Sequence, residues 1–178
     1  MAQSLDPEQL TGDVLRLGVI ASVDHAQATC TVESGDVVTG DLPWIAPRAG
    51  GLRVWSPPTV GEQCLLLSPE GDIENGIVIV GLYCDAFPAP SANPDLVHLE
   101  FDDGAIIAYD LAIHALTVTL PAGGTATVDA PGGLTLNCDV TVNGKLTAST
   151  DVIGAGISLK GHKHGGVQAG GAQTGAPV

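Results

Sequence analysis

Residues 134–143 alternate without a fault: Leu134, Leu136, Cys138, Val140 and Val142 are apolar, while Thr135, Asn137, Asp139, Thr141 and Asn143 are polar. Residues 116–120 repeat the pattern with Leu116, Val118 and Leu120 set against Thr117 and Thr119. Successive side chains of an extended strand point to opposite faces, so a period of two predicts one apolar face and one wet face. Turn signals at Asp103-Gly104, Ala122-Gly123-Gly124, Pro131-Gly132-Gly133, Asn143-Gly144 and Gly154-Ala155-Gly156 cut the stretch into short pieces. A single ribbon over residues 96–160 has no second layer of its own to cover its apolar face. Copies of the same ribbon around a common axis would cover it. Three narrow strips of Val, Leu, Ile and Cys predict an intertwined triangular β-prism.

Composition points the same way. Hydrophobic residues make up 44% of the 178, yet aromatics only 3%. A core of small aliphatics suits narrow β packing better than a wide globular interior. With 24 glycines and 12 prolines the chain has many turns and few long helices.

The first half reads differently. After a polar lead-in (1–14), with Asp6-Pro7-Glu8 as a short helix start, strands are expected at 17–23, 28–32, 37–42, 64–67 and 77–83, with Gly61 and Gly71 at bends. Five short strands in about 70 residues fit a small Greek-key barrel of the OB type over 15–83. Residues 84–95 hold Pro88, Pro90 and Pro94 among small residues and read as a stiff, exposed linker.

Several functions are excluded. A net charge of −14 with six Lys and Arg is unsuited to a phosphate backbone, so no nucleic-acid partner is expected. No secretory signal or membrane-spanning helix is legible. Cys30, Cys64, Cys84 and Cys138 lack CxxC spacing and read as small hydrophobes of a protein made in a reducing cytoplasm. The chain lacks a Gly-x-Ser-x-Gly elbow, a phosphate-binding glycine loop and an HExxH helix, so no enzyme activity is expected. Asp102 and Asp103 are adjacent and face opposite ways, which assigns Asp103-Gly104 to a turn rather than to acid–base work. Arg48 and Arg53 receive no function, and His25, His98 and His114 are read as structural or surface residues.

One constellation remains, Gly161-His162-Lys163-His164-Gly165, followed by a tail with almost nothing to bury. His162 and His164, two residues apart, share one side of an extended chain. Two imidazoles are too few for a closed site, since structural zinc takes four ligands and an octahedral ion six. Either other copies of the chain supply the remaining ligands, or the pair is incidental to a solvent-exposed tail. Ile157 and Leu159 are apolar, so strict alternation would put both imidazoles on the outer face. A bulge or turn at Gly161 would bring them inward and leave Lys163 in solvent.

The chain resembles the baseplate assembly protein V family, the central spikes of contractile-tailed bacteriophages. In the barrel the resemblance rests on Asp41-Leu42-Pro43-Trp44, Arg48-Ala49-Gly50, Pro57-Pro58-Thr59-Val60-Gly61-Glu62-Gln63, Leu67-Ser68-Pro69-Glu70-Gly71-Asp72 and Val80-Gly81-Leu82-Tyr83. Further on it rests on Asp103-Gly104, Tyr109-Asp110, His162-Lys163-His164-Gly165-Gly166-Val167 and Thr174-Gly175-Ala176-Pro177.

The resemblance implies an all-β homotrimer with an N-terminal OB-fold collar (15–83), a linker (84–95), a β-helical or prism-like shaft (96–160) and a metal-bound apex (161–178). It implies one iron ion per trimer, held by His162 and His164 of three chains through six imidazole nitrogens. It implies a virion protein of the tail baseplate, assembled in the host cytoplasm. Its partners would be the baseplate hub and tail tube, and its target the host outer membrane, pierced on sheath contraction. Larger relatives carry a lysozyme domain between collar and shaft, for which the linker here leaves no room. The same architecture would serve a contractile bacteriocin or a type VI secretion spike. A trimeric adhesin fibre is the more distant alternative.

Overall fold

The computed structural model describes residues 14–166 and 170–171. The helix start at Asp6-Pro7-Glu8 and the motif residues Val167 and 174–177 lie outside the described residues. The described residues are all-β, with two single-turn 3-10 helices at Pro69–Gly71 and Ile73–Asn75. It divides into two compact units, Met1–Thr125 and Ala126–Val178.

The first unit begins with β1 (Leu15–Asp24), β2 (Thr29–Ser34), β3 (Val37–Val38), β4 (Leu42–Pro43), β5 (Gln63–Leu67) and β6 (Ile77–Leu82). They form an antiparallel sheet in the order β3-β2-β1-β5-β6, with β4 also pairing β2. Trp44, just past β4, bridges Val78 of β6, and the Ile45 amide donates to the Val78 carbonyl at 2.9 Å. That contact joins the two ends of the sheet into a barrel, which removes the exposed edges a flat sheet would leave.

The barrel interior is Ile20, Cys30, Val32, Leu42, Cys64, Leu66 and Val78, with Val23, Trp44, Ile73 and Val80 packed around it. These residues alternate with outward ones along their strands, as the buried face of a period-two pattern requires. At Gly18 a Cβ would collide with Val32 Cγ1 and lie 2.8 Å from the Glu33 carbonyl, so only glycine lets β2 cross there. Burial pushes the Cys64 thiol up to about 11, and burial also raises Cys30.

The strand expected at 37–42 is instead two short pieces. Thr39, between them, is 7% exposed. Its hydroxyl accepts from the Val32 amide at 2.9 Å and donates to the Gly40 carbonyl, while its own amide donates to the Val32 carbonyl. A side chain has taken over one rung of the ladder, so strand pairing stops at Val38 and resumes at Leu42.

Glu62 of the Pro-x-x-Gly-Glu-Gln stretch has a structural task. Its carboxylate accepts from the Thr59 amide and, across to β6, from the Gly81 amide, both at 3.0 Å. It ties the long loop before β5 to the closing strand.

The first unit continues past the Pro-rich segment into β7 (Leu96–Glu100), β8 (Ile106–Asp110) and β9 (Ala115–Thr119), a three-stranded antiparallel sheet. Asp103 shapes the first turn, its carboxylate accepting from the Ala105 amide, and Gly104 sits at φ +85. Sequence reading did not mark the second turn, which has no glycine. Asp110 makes it by accepting from the Ala112 and Ile113 amides, and His114 closes it in the left-handed region at φ +57.

In the second unit the faultless alternation of 134–143 forms no strand within the chain. Val128, Leu134, Leu136, Val140, Val142 and Leu146 are between 50% and 72% exposed. The only pairing among the described residues of this unit is a hairpin of β10 (Ile153–Gly154) and β11 (Ile157–Ser158). Its turn residues Ala155 and Gly156 both have positive φ, 50° and 83°, the left-handed pair that a two-residue hairpin needs. Among the described residues no helix is long and apolar enough to cross a membrane.

Candidate metal centre at the apex

The β10–β11 hairpin positions the histidine pair. Strand geometry stops at Ser158, and residues 159–161 turn. The Gly161 amide donates to the Ser158 hydroxyl at 2.8 Å, and the His162 amide donates to the Ser158 carbonyl at 3.1 Å. The alternation running through Ile157 and Leu159 is therefore broken before His162, at the place where the sequence called for an irregularity.

The His162 and His164 rings lie 5.0 Å apart, centre to centre, with planes inclined at 79°. His162 Nδ1 lies 3.1 Å from the Ser158 carbonyl oxygen and 3.2 Å from that of Leu159. Carbonyl oxygens only accept, so in the neutral ring Nδ1 carries the proton and the lone pair is on Nε2. Among the described residues no hydrogen bond occupies Nε2 of His162 or either ring nitrogen of His164. Lys163 and both imidazoles are exposed in the single chain.

This arrangement is a two-nitrogen donor. Imidazoles that share adjacent positions on one ion, each about 2.1 Å from it, have ring centres roughly 4.6 Å apart, close to the spacing found here. Among the described residues no three His, Cys, Asp or Glu side chains converge closely enough to hold an ion. Among the described residues the two imidazoles have no third donor group beside them.

Beneath the pair, Asp151 fastens the open end of the hairpin. Its Oδ1 accepts from the Val152 amide at 2.8 Å and the Lys160 amide at 3.1 Å. The Ser158 side chain above all, with the Lys160 amide next, holds the Asp151 carboxyl below the usual carboxylate range. Sequence reading missed both residues. The available signal was an Asp and a Ser flanking a two-residue hairpin turn just before the histidines.

Other residues singled out by sequence belong to the first unit. Arg48 and Arg53 flank an open cavity of about 410 Å³ in the barrel unit, beside Trp44 and Trp55, whose ring centres are 5.7 Å apart. His98, on β7, faces Glu100 at 3.9 Å.

The chain thus combines a β-barrel in its first unit with a hairpin and a histidine pair in its second, and known proteins share both parts. Residues 16–83 match the type VI secretion system/phage-baseplate injector OB domain, and residues 156–178 match the GpV apex motif. The chain is also 37% identical, over 140 residues, to the spike protein of Escherichia phage P2. The matched stretch covers 79% of this chain and 64% of that protein. The chain thus spans a little under two thirds of the length of the curated spike protein it resembles.

Proposed function

We propose that this protein is the membrane-piercing central spike at the tip of a contractile phage tail. The carrying observation is the pairing of an injector OB domain at one end with the apex motif and its two imidazoles at the other. In this reading the spike resides in the virion, in the tail baseplate. The barrel unit attaches to the baseplate hub and tail tube, and sheath contraction drives the opposite end through the host outer membrane. The role is mechanical, with no bond of a substrate made or broken.

A pushed rod must not splay. The exposed aliphatic row of the second unit supports a homotrimer, because leaving it in water in one chain forgoes about 25 cal/mol for each Å² of apolar surface. Three copies around an axis would cover it. Near the end of the chain that means of cohesion runs out, since residues 160–166 hold no aliphatic side chain. A metal ion bound by all three chains would supply directional cohesion there, as metals do in domains too small for a core.

His162 and His164 of each chain are the proposed ligands. The matched motif is this family's metal-binding apex, and the ring spacing fits two positions on one ion. Six imidazole nitrogens suit an octahedral ion and disfavour zinc, and we assign iron, one per trimer. A type VI or bacteriocin spike is the second reading, favoured by the double scope of the barrel match. The relative from a phage supports the first.

The function is tested by labelling purified tails with antibody to this chain, before and after contraction. Label at the baseplate tip is expected. Tails that lack the chain yet contract and inject normally would overturn the proposal.

A further inference from the structure

Resting on that reading of the apex, we propose that Asp151 and Ser158 form a clasp that positions His162 to present Nε2 to the metal. A histidine that binds metal through one ring nitrogen needs its other N–H held, which fixes both tautomer and ring orientation. Here the holder is the backbone at the end of β11, the carbonyls of Ser158 and Leu159. Those carbonyls could not position a ring if the turn beneath them frayed.

The clasp prevents fraying from both sides. Asp151 reaches across the hairpin mouth to the Lys160 amide, two residues past Ser158. The Ser158 hydroxyl oxygen accepts from the Gly161 amide. Ser158 is therefore gripped through its side chain while its carbonyl receives both the amide and the ring of His162. A Cβ at Gly161 would stand 3.3 Å from that hydroxyl, so glycine there leaves the clasp undisturbed. Neither Asp151 nor Ser158 is itself a ligand. They are positioning residues, acting through His162.

A mere hairpin cap would make the same bonds but would not govern the metal, and the test separates the two. Ser158→Ala, Asp151→Asn and the conservative Ser158→Thr are compared with the intact protein after loading with ferrous iron. The readouts are iron retained under a chelator challenge, trimer mass, and the His162 ring nitrogen shifts in metal-free protein. Ser158→Ala is expected to stay trimeric and lose iron roughly 10- to 100-fold more readily, the usual effect of removing a support behind a ligand. Its His162 ring shifts should move toward a mixture of tautomers, and Ser158→Thr should restore both properties. If Ser158→Ala fails to fold, Asp151→Asn decides by the same readouts, because it keeps the size and one acceptor oxygen. Variants that hold iron as the intact protein does would overturn the clasp and leave the apex reading standing. An intact trimer that takes up no iron would overturn the apex reading itself, and the clasp with it.

Discussion

Replacing Leu136 by Ala tests whether the alternating row of the second unit is an interchain core. Leu136 is 58% exposed in the single chain, so more than half of its burial is left for other copies to provide. Full burial of a leucine side chain is worth about 1.5–3 kcal/mol, of which the fraction still exposed, less what an alanine methyl keeps, comes to about 1 kcal/mol. A three-fold axis repeats the loss in every chain, giving about 3 kcal/mol per trimer. At 1.4 kcal/mol for each tenfold, that is roughly a hundredfold in the trimer dissociation constant. Sedimentation across a dilution series measures it directly. Thr135→Ala, one residue away on the polar face, is the control and is expected to change little. An unchanged dissociation constant for Leu136→Ala, or an equal loss for Thr135→Ala, would refute the assignment of faces.

Gly18→Ala should destabilise the barrel by about 1–3 kcal/mol, the usual cost of overpacking, because the new methyl meets Val32 and the Glu33 carbonyl; chemical denaturation reads it. The Cys64 thiol, raised from its ordinary value to about 11 in the folded barrel, makes stability fall as pH rises. The unfolded chain loses that proton near pH 9 and the folded one only near 11. The contribution is thus intact below about pH 9 and declines from there to about 11, which melting temperatures across that range would show. Replacing both His162 and His164 by Ala should abolish metal binding yet leave the shaft trimeric. Loss of the trimer in that variant would mean that the metal, and not aliphatic burial, holds the chains together.

The barrel was legible because its strands bury one face within the chain. Ile20, Val32, Cys64, Leu66 and Val78 alternate inward, and glycine and proline mark the ends. The break at Thr39 was not, because a threonine in a strand pattern gives no sign that its hydroxyl will replace a backbone rung. The same limit applied to Asp110, whose side chain makes a turn without glycine. Residues 134–143 show a different boundary. Period two specifies which side of a strand is apolar and says nothing of what pairs with it, so a perfect pattern coexists with no strand inside one chain. At the apex the histidines were visible as residue types at a spacing, whereas the contact of His162 Nδ1 with the Ser158 carbonyl and the bonds of Ser158 and Asp151 to the turn amides emerge only from the folded hairpin.

Native mass spectrometry of the purified protein, combined with metal analysis of the same sample, tests the central claim most directly. A trimer carrying one iron per three chains is expected. A monomer without metal would contradict it.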